Sequence, residues 1–113
     1  MWVSIRNLAW FAGVVLIGAG GVCSAQTPGL SRQTELIRLV RQDCGSCHGM
    51  TLKGGLGPAL TAQALKNKPP ELIKAVILKG RPGTPMPPWS AFMSDADAGW
   101  VADQLLKGFP RER

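Results

Sequence analysis

Asp43-Cys44-Gly45-Ser46-Cys47-His48-Gly49 is the stretch on which the rest of the chain turns. Two thiols separated by two residues and followed at once by an imidazole form the C-x-x-C-H pattern of covalent haem attachment. The chemistry needs these residue types in this order. Thiols about one helical turn apart add to the two vinyl groups on one porphyrin edge, and the imidazole binds the iron from the proximal side. His48 is the only histidine in the chain, and the one cysteine outside the motif, Cys23, lies in an N-terminal leader. The other uses of such residues fit less well. A zinc site needs four ligands, usually as two separated pairs, and no second pair exists. A redox dithiol would follow a strand, and none reads convincingly before Cys44. A disulfide across two residues is strained and closes almost no loop.

Downstream, Gly80-Arg81-Pro82-Gly83-Thr84-Pro85-Met86-Pro87-Pro88-Trp89 offers a second iron ligand. Its prolines fix φ and remove backbone donors, so the loop can hold a thioether in place without a helix. Methionine opposite histidine favours the ferrous state and raises the potential, and a six-coordinate iron needs little rearrangement between oxidation states, the behaviour of an electron carrier. Met50 is too near His48 to reach the opposite haem face. Met93 is the rival, but it adjoins the start of a helix, where a methionine ordinarily packs. Met86 is the favoured ligand. The proximal imidazole needs an acceptor for its other N–H. Gly54-Gly55-Leu56-Gly57-Pro58-Ala59-Leu60 is the natural source, because glycines permit close backbone approach and Pro58 stiffens its own carbonyl.

The helices follow from caps and periodicity. Ser31 is expected to cap a first helix running to about Cys44, with Leu36, Ile37, Leu39 and Val40 as its apolar stripe, so that the haem motif begins where the helix ends. The Pro69-Pro70 pair opens a middle helix carrying Leu72, Ile73, Val76 and Ile77, and Gly80 stops it. Ser94 caps a last helix, with Asp95 and Asp97 complementing its N-terminal dipole. Trp100, Val101, Leu105 and Leu106 form its expected buried face, and Gly108 and Pro110 end it. A short helical turn is expected at Ala62 to Leu65. The chain is thus all-α, with three main helices and long Gly- and Pro-rich loops that wrap something.

Residues 1–25 read as a secretory leader rather than as part of the fold. Arg6 supplies a basic start, Leu8 to Val22 an apolar stretch of about 15 residues, and Cys23-Ser24-Ala25 a small-x-small cleavage site. The stretch is shorter than the ~20 residues of a spanning helix, which disfavours an uncleaved anchor. Val22 before Cys23 disfavours a lipoprotein. Residues 26–113 then form one domain, with Gln26 as its first residue. The whole chain has 13 basic and 7 acidic residues, and losing Arg6 leaves a net charge of about +5. The charges are scattered singly, which with export argues against nucleic acid. A chain this small, with no Tyr and 3 Phe, has a marginal core of its own, and a buried haem would supply much of the missing apolar interior.

The C-G-S-C-H-G segment, Gly57-Pro58, Met86-Pro87-Pro88 and the capped C-terminal helix resemble class I cytochromes c over essentially all of residues 26–113. Residues 43–49, Gly54-Gly55-Leu56-Gly57 and the run from Gly80 to Trp89 more specifically resemble the small monohaem cytochromes of the NirC or c55X type, encoded with the haem d-containing dissimilatory nitrite reductase of denitrifying bacteria. The resemblance implies a small class I cytochrome c fold around one haem c. It implies thioether attachment at Cys44 and Cys47, axial ligation by His48 and Met86, and Pro58 as the imidazole's acceptor. It also implies that Arg81 and Trp89 line the haem propionates. The implied function is periplasmic transfer of single electrons by a monomer with no catalysis of its own, to the nitrite reductase as redox partner. The alternative is an accessory role in maturing that enzyme or its special haem. A gas sensor or peroxidase is disfavoured because Met86 would close the iron site. Lys53, Lys79 and Arg81 are the cations nearest in sequence to the expected haem edge, where they could steer an acidic partner.

Overall fold

The computed structural model describes residues 26–111, and the leader expected at residues 1–25 lies outside them. Among the described residues, five α-helices and one π-helical segment account for the regular structure and no strand occurs. Helix α1 spans Leu30–Leu39 and continues without interruption through a π-helical segment, Val40–Cys44, into α2, Gly45–His48. Short α3 spans Ala62–Leu65, α4 spans Pro70–Lys79 and α5 spans Asp95–Lys107. None of these helices is long and apolar enough to cross a membrane.

Two expectations for the first helix need correction. Its N-cap is Gly29, not Ser31: the Gly29 carbonyl accepts the Gln33 N–H at 2.9 Å, and Ser31 already lies in the first turn. The helix also does not stop at the haem motif but carries it. Gly49, at φ 88°, breaks the winding one residue after His48, in a region that suits a residue without Cβ. The π-helical segment explains how the core face survives this length. Leu36 and Val40 are buried four residues apart, but the next buried position is Gly45, five further on. The wider turn absorbs the extra residue, a device that recurs at functional sites.

The other helices begin and end where the caps put them. Pro69 and Pro70 open α4 and Gly80 follows it. Ser94 and Asp97 form a reciprocal capping box at the start of α5: Ser94 Oγ accepts the Asp97 N–H at 3.1 Å, and Asp97 Oδ2 accepts the Ser94 N–H at 3.0 Å. Helices α3 and α4 pack on α5. The core joins Leu36, Val40, Leu52, Leu65, Ile73, Ile77, Met93, Ala98, Val101, Ala102 and Leu105. The fully buried positions of α5 include Ala98 and Ala102, small residues one turn apart that let neighbours approach, whereas Trp100 and Leu106 are only half-buried.

Two arginines on the first helix tie it to both ends of the last. Arg32 donates to Asp97 Oδ2 from Nη2 at 3.0 Å and to the Phe92 carbonyl at 2.7 Å. Arg41, inside the π-helical segment, donates to the carbonyls of Phe109 (2.7 Å) and Pro110 (2.8 and 2.9 Å), with its guanidinium 5.5 Å from the Phe109 ring centre. Burial works to raise the pKa of Asp97, but the hydrogen bonds from Arg32 and Ser94 outweigh it and hold the carboxyl below the usual range. A depressed carboxylate contributes stability above its unfolded-state pKa and loses it as pH falls through the folded value. Asp97→Asn is therefore expected to destabilise the protein by about 1–2 kcal/mol at neutral pH, a modest figure because Arg32 is partly exposed. Wild type should converge on the variant as pH drops below about 4. Denaturant titrations of both proteins at several pH values check this.

Candidate cofactor site

Between the motif-bearing helix, α4 and the loop after α4 lies a cavity of about 680 Å³. That volume falls in the range of small-molecule and cofactor pockets, roughly 300–1,000 Å³. Cys44, Cys47, His48, Pro58, Arg81, Met86 and Trp89 all line it. Its remaining wall is mostly apolar, with Val40, Leu60, Leu65, Ile73, Val76 and Ile77 among the contributors.

His48 is held by the loop that follows it. Its Nδ1 lies 2.7 Å from the Pro58 carbonyl oxygen. That oxygen can only accept, so Nδ1 carries the proton and Nε2 keeps its lone pair for a metal. The loop backbone is pinned to the helix end: Gly54 N–H donates to His48 O and Gly57 N–H to Cys47 O, both at 2.8 Å. Gly57 has no room for a side chain, since a Cβ there would sit 2.7 Å from Cε1 and Nδ1 of the His48 imidazole. Backbone thus packs directly on the ring and fixes its plane. Leu52, buried and at φ 60°, turns the chain between motif and loop and anchors it in the core.

Cys44 is half-buried and Cys47 exposed, and neither is in a disulfide. Burial, with the charge of Asp43 second, pushes the Cys44 thiol up to about 11. A redox dithiol depends instead on a depressed pKa that makes a thiolate at neutral pH. No group of three or more His, Cys, Asp or Glu side chains suited to a metal ion occurs among the described residues.

The loop after α4 closes the other side. Gly80 is buried at φ 67°, and a Cβ on it would come within 2.7 Å of the Met86 carbonyl oxygen. Arg81 N–H donates to that same oxygen at 3.1 Å, and Trp89 N–H donates to Ile77 O at 3.0 Å. Met86 is half-buried on the cavity wall. Met93 also reaches the wall but is 3% exposed and part of the core. Met50 is 62% exposed and does not line the cavity. Trp89 stacks at a tilt on Phe92, ring centres 5.7 Å apart.

Lys53 and Lys79 are exposed but stand outside the lining, whereas Arg81 belongs to it. Sequence reading missed Lys68, Leu56 and Leu72 on the wall. Leu56 is 95% and Leu72 50% exposed, so both present apolar surface at the mouth. An apolar residue in a Gly-rich loop was the available signal for Leu56; Leu72 belongs to the apolar set expected on one face of α4. The donor set fits the group implied by the motif: two thiols and an oriented imidazole on one helix, a thioether on a separate rigid loop, and an apolar wall.

Comparison with known proteins bears out the family resemblance and the fold. Residues 32–104 match the family described as cytochrome C oxidase, cbb3-type, subunit III. Cytochrome c55X of Pseudomonas aeruginosa is 57% identical over 81 residues, covering 72% of this chain and 68% of the relative. The solved structure of a c-type cytochrome NirC superposes with a TM-score of 0.70 at 56% identity, covering 71% of this chain and 94% of the other. A dihydro-heme d1 dehydrogenase, NirN, solved in complex with DHE, gives a TM-score of 0.60 at 37% identity, covering 70% of this chain but only 17% of that one.

Proposed function

The chain belongs to the cytochrome c55X family of small electron-transferring c-type cytochromes, and from that membership we propose that it is a periplasmic carrier of single electrons to the haem d-containing dissimilatory nitrite reductase. Cys44 and Cys47 would hold one haem c covalently, with His48 and Met86 as its iron ligands, and the group would supply the one-electron couple. Pro58 orients His48, and Arg81 and Trp89 would hold the propionates. A leader ending at Ala25 directs the chain to the periplasm, where it works as a monomer. The observation that carries this reading is the shared cavity wall: both motif thiols, the Nε2-free imidazole and the Pro-flanked thioether converge there. Anaerobic stopped-flow mixing of the reduced cytochrome with the oxidised reductase tests it. Reoxidation on the timescale of reductase turnover supports the proposal, and inert mixing sinks it.

One comparison favours a second reading. A domain of this kind forms a minor part of the chain named dihydro-heme d1 dehydrogenase. A free-standing relative could exchange electrons with an enzyme that matures the special haem. Substituting such a dehydrogenase for the reductase in the same mixing experiment separates the two roles.

The encounter itself should depend on charge. Lys68 and Arg81 line the cavity, and Lys53 and Lys79 are exposed in segments flanking it. Asp43 is the one acidic residue on the wall. If these cations steer an acidic partner, electron transfer slows as ionic strength rises, and charge reversal at Lys79, which stands outside the cavity lining, lowers the association rate by about threefold to tenfold with little change in potential. A flat salt dependence would assign the encounter to the apolar mouth at Leu56 and Leu72.

A further inference from the structure

We propose that the Thr84 hydroxyl is a positioning group for the Met86 thioether, setting how readily it leaves the iron; the inference rests on the reading of Met86 as a ligand. Pro82, Pro85, Pro87 and Pro88 have no N–H, so between Thr84 and Trp89 the only backbone donor is that of Met86. Thr84 Oγ1 lies 3.4 Å from Met86 N and accepts from it. The same hydroxyl donates its proton to Arg81 O at 2.6 Å, which turns its lone pairs toward Met86. Thr84 N–H reaches that carbonyl too, at 3.0 Å, while Arg81 N–H holds the Met86 carbonyl at 3.1 Å.

Both backbone groups of Met86 are thereby tied to a ring that runs Arg81–Thr84–Met86, and the hydroxyl is its only side-chain member. The carbonyl side of this ring is backed by buried Gly80, which leaves no slack there. The amide side depends on one long hydrogen bond from the Met86 N–H to an exposed residue. Loosening of the loop should therefore begin at the Met86 amide. Valine at position 84 keeps the branched shape and removes the hydroxyl, whereas serine keeps the hydroxyl.

The test uses ferric, haem-loaded protein mixed with imidazole. An exogenous ligand binds a six-coordinate iron only after the resident ligand departs, so the rate at saturating imidazole reads thioether departure. Thr84→Val is expected to raise that limiting rate about threefold to tenfold, the worth of one net hydrogen bond. Thr84→Ser should return it to the wild-type value. Met86→Ala should abolish the saturation altogether. A merely structural Thr84 would lower the melting temperature and leave the limiting rate alone; that result, or a serine variant as fast as the valine one, overturns the inference. If Met86→Ala still saturates at the wild-type rate, the ligand assignment fails and the Thr84 inference falls with it.

Discussion

A Cys44→Ala, Cys47→Ala double variant is expected to carry no covalent haem and to lose much of its helical structure. On the proposed attachment the thioether bonds would form at those two sulfurs, so a denaturing gel stained for haem should go from a full band to none. Loss of structure follows from the size of the cavity. About 680 Å³ of mostly apolar space opens onto Val40, Leu65, Ile73, Ile77, Val101 and Leu105, which also belong to the core. Those side chains would lose their packing on that side, and each large side chain left without neighbours costs on the order of 1 kcal/mol or more. Ligand binding and folding are coupled in such a protein. Circular dichroism of the purified variant should show a reduced, broadly melting helical signal. Retention of the haem stain would overturn the attachment assignment.

Met86→Ala should keep covalent haem and change its chemistry. With His48 and the thioether bonds intact, the stain persists. The ferric spectrum should lose the long-wavelength band that reports sulfur coordination, and the reduction potential should fall by on the order of a hundred millivolts, since axial ligands tune haem potentials over about 0.8 V. Small exogenous ligands should bind directly. Met93→Ala should retain the band, because Met93 belongs to the buried core beside the start of α5. Its cost is stability, about 2–3 kcal/mol for a buried methionine truncated to alanine. If Met93→Ala loses the band while Met86→Ala keeps it, the two roles are exchanged.

Much of this architecture was legible before any coordinates. Pro70, Gly80, Ser94 and Gly108 mark the ends of α4 and α5, because caps are local chemistry written in single residues. The turn at Ala62–Leu65 was equally readable, with Thr61 accepting the Ala64 N–H. The first helix was harder for a physical reason. Its apolar spacing shifts from four residues to five between Val40 and Gly45, and a small buried glycine gives no hydrophobic signal with which to detect the shift. A periodicity argument therefore ends the helix at the point where it actually widens. Tertiary ties were not legible either. Nothing in the sequence singles out Arg32 and Arg41, and only folding brings Asp97 and two carbonyls of the C-terminal tail to them. Gly57 lay in a segment already expected to approach the site closely. That its backbone would press on the imidazole itself needed the structure.

The clamp on Arg41 has a consequence in time. Its acceptors, the carbonyls of Phe109 and Pro110, lie 68 and 69 residues further along the chain. A polypeptide is made from its N-terminus, so the segment carrying Cys44, Cys47 and His48 exists long before the carbonyls that fasten it. Until Phe109 and Pro110 have emerged this tie cannot form, and contacts between distant positions are the slowest to form. The order of synthesis therefore makes the fastening of the motif-bearing helix to the tail a late event, which the chain reaches only after the segment carrying Cys44, Cys47 and His48 has been free to wind.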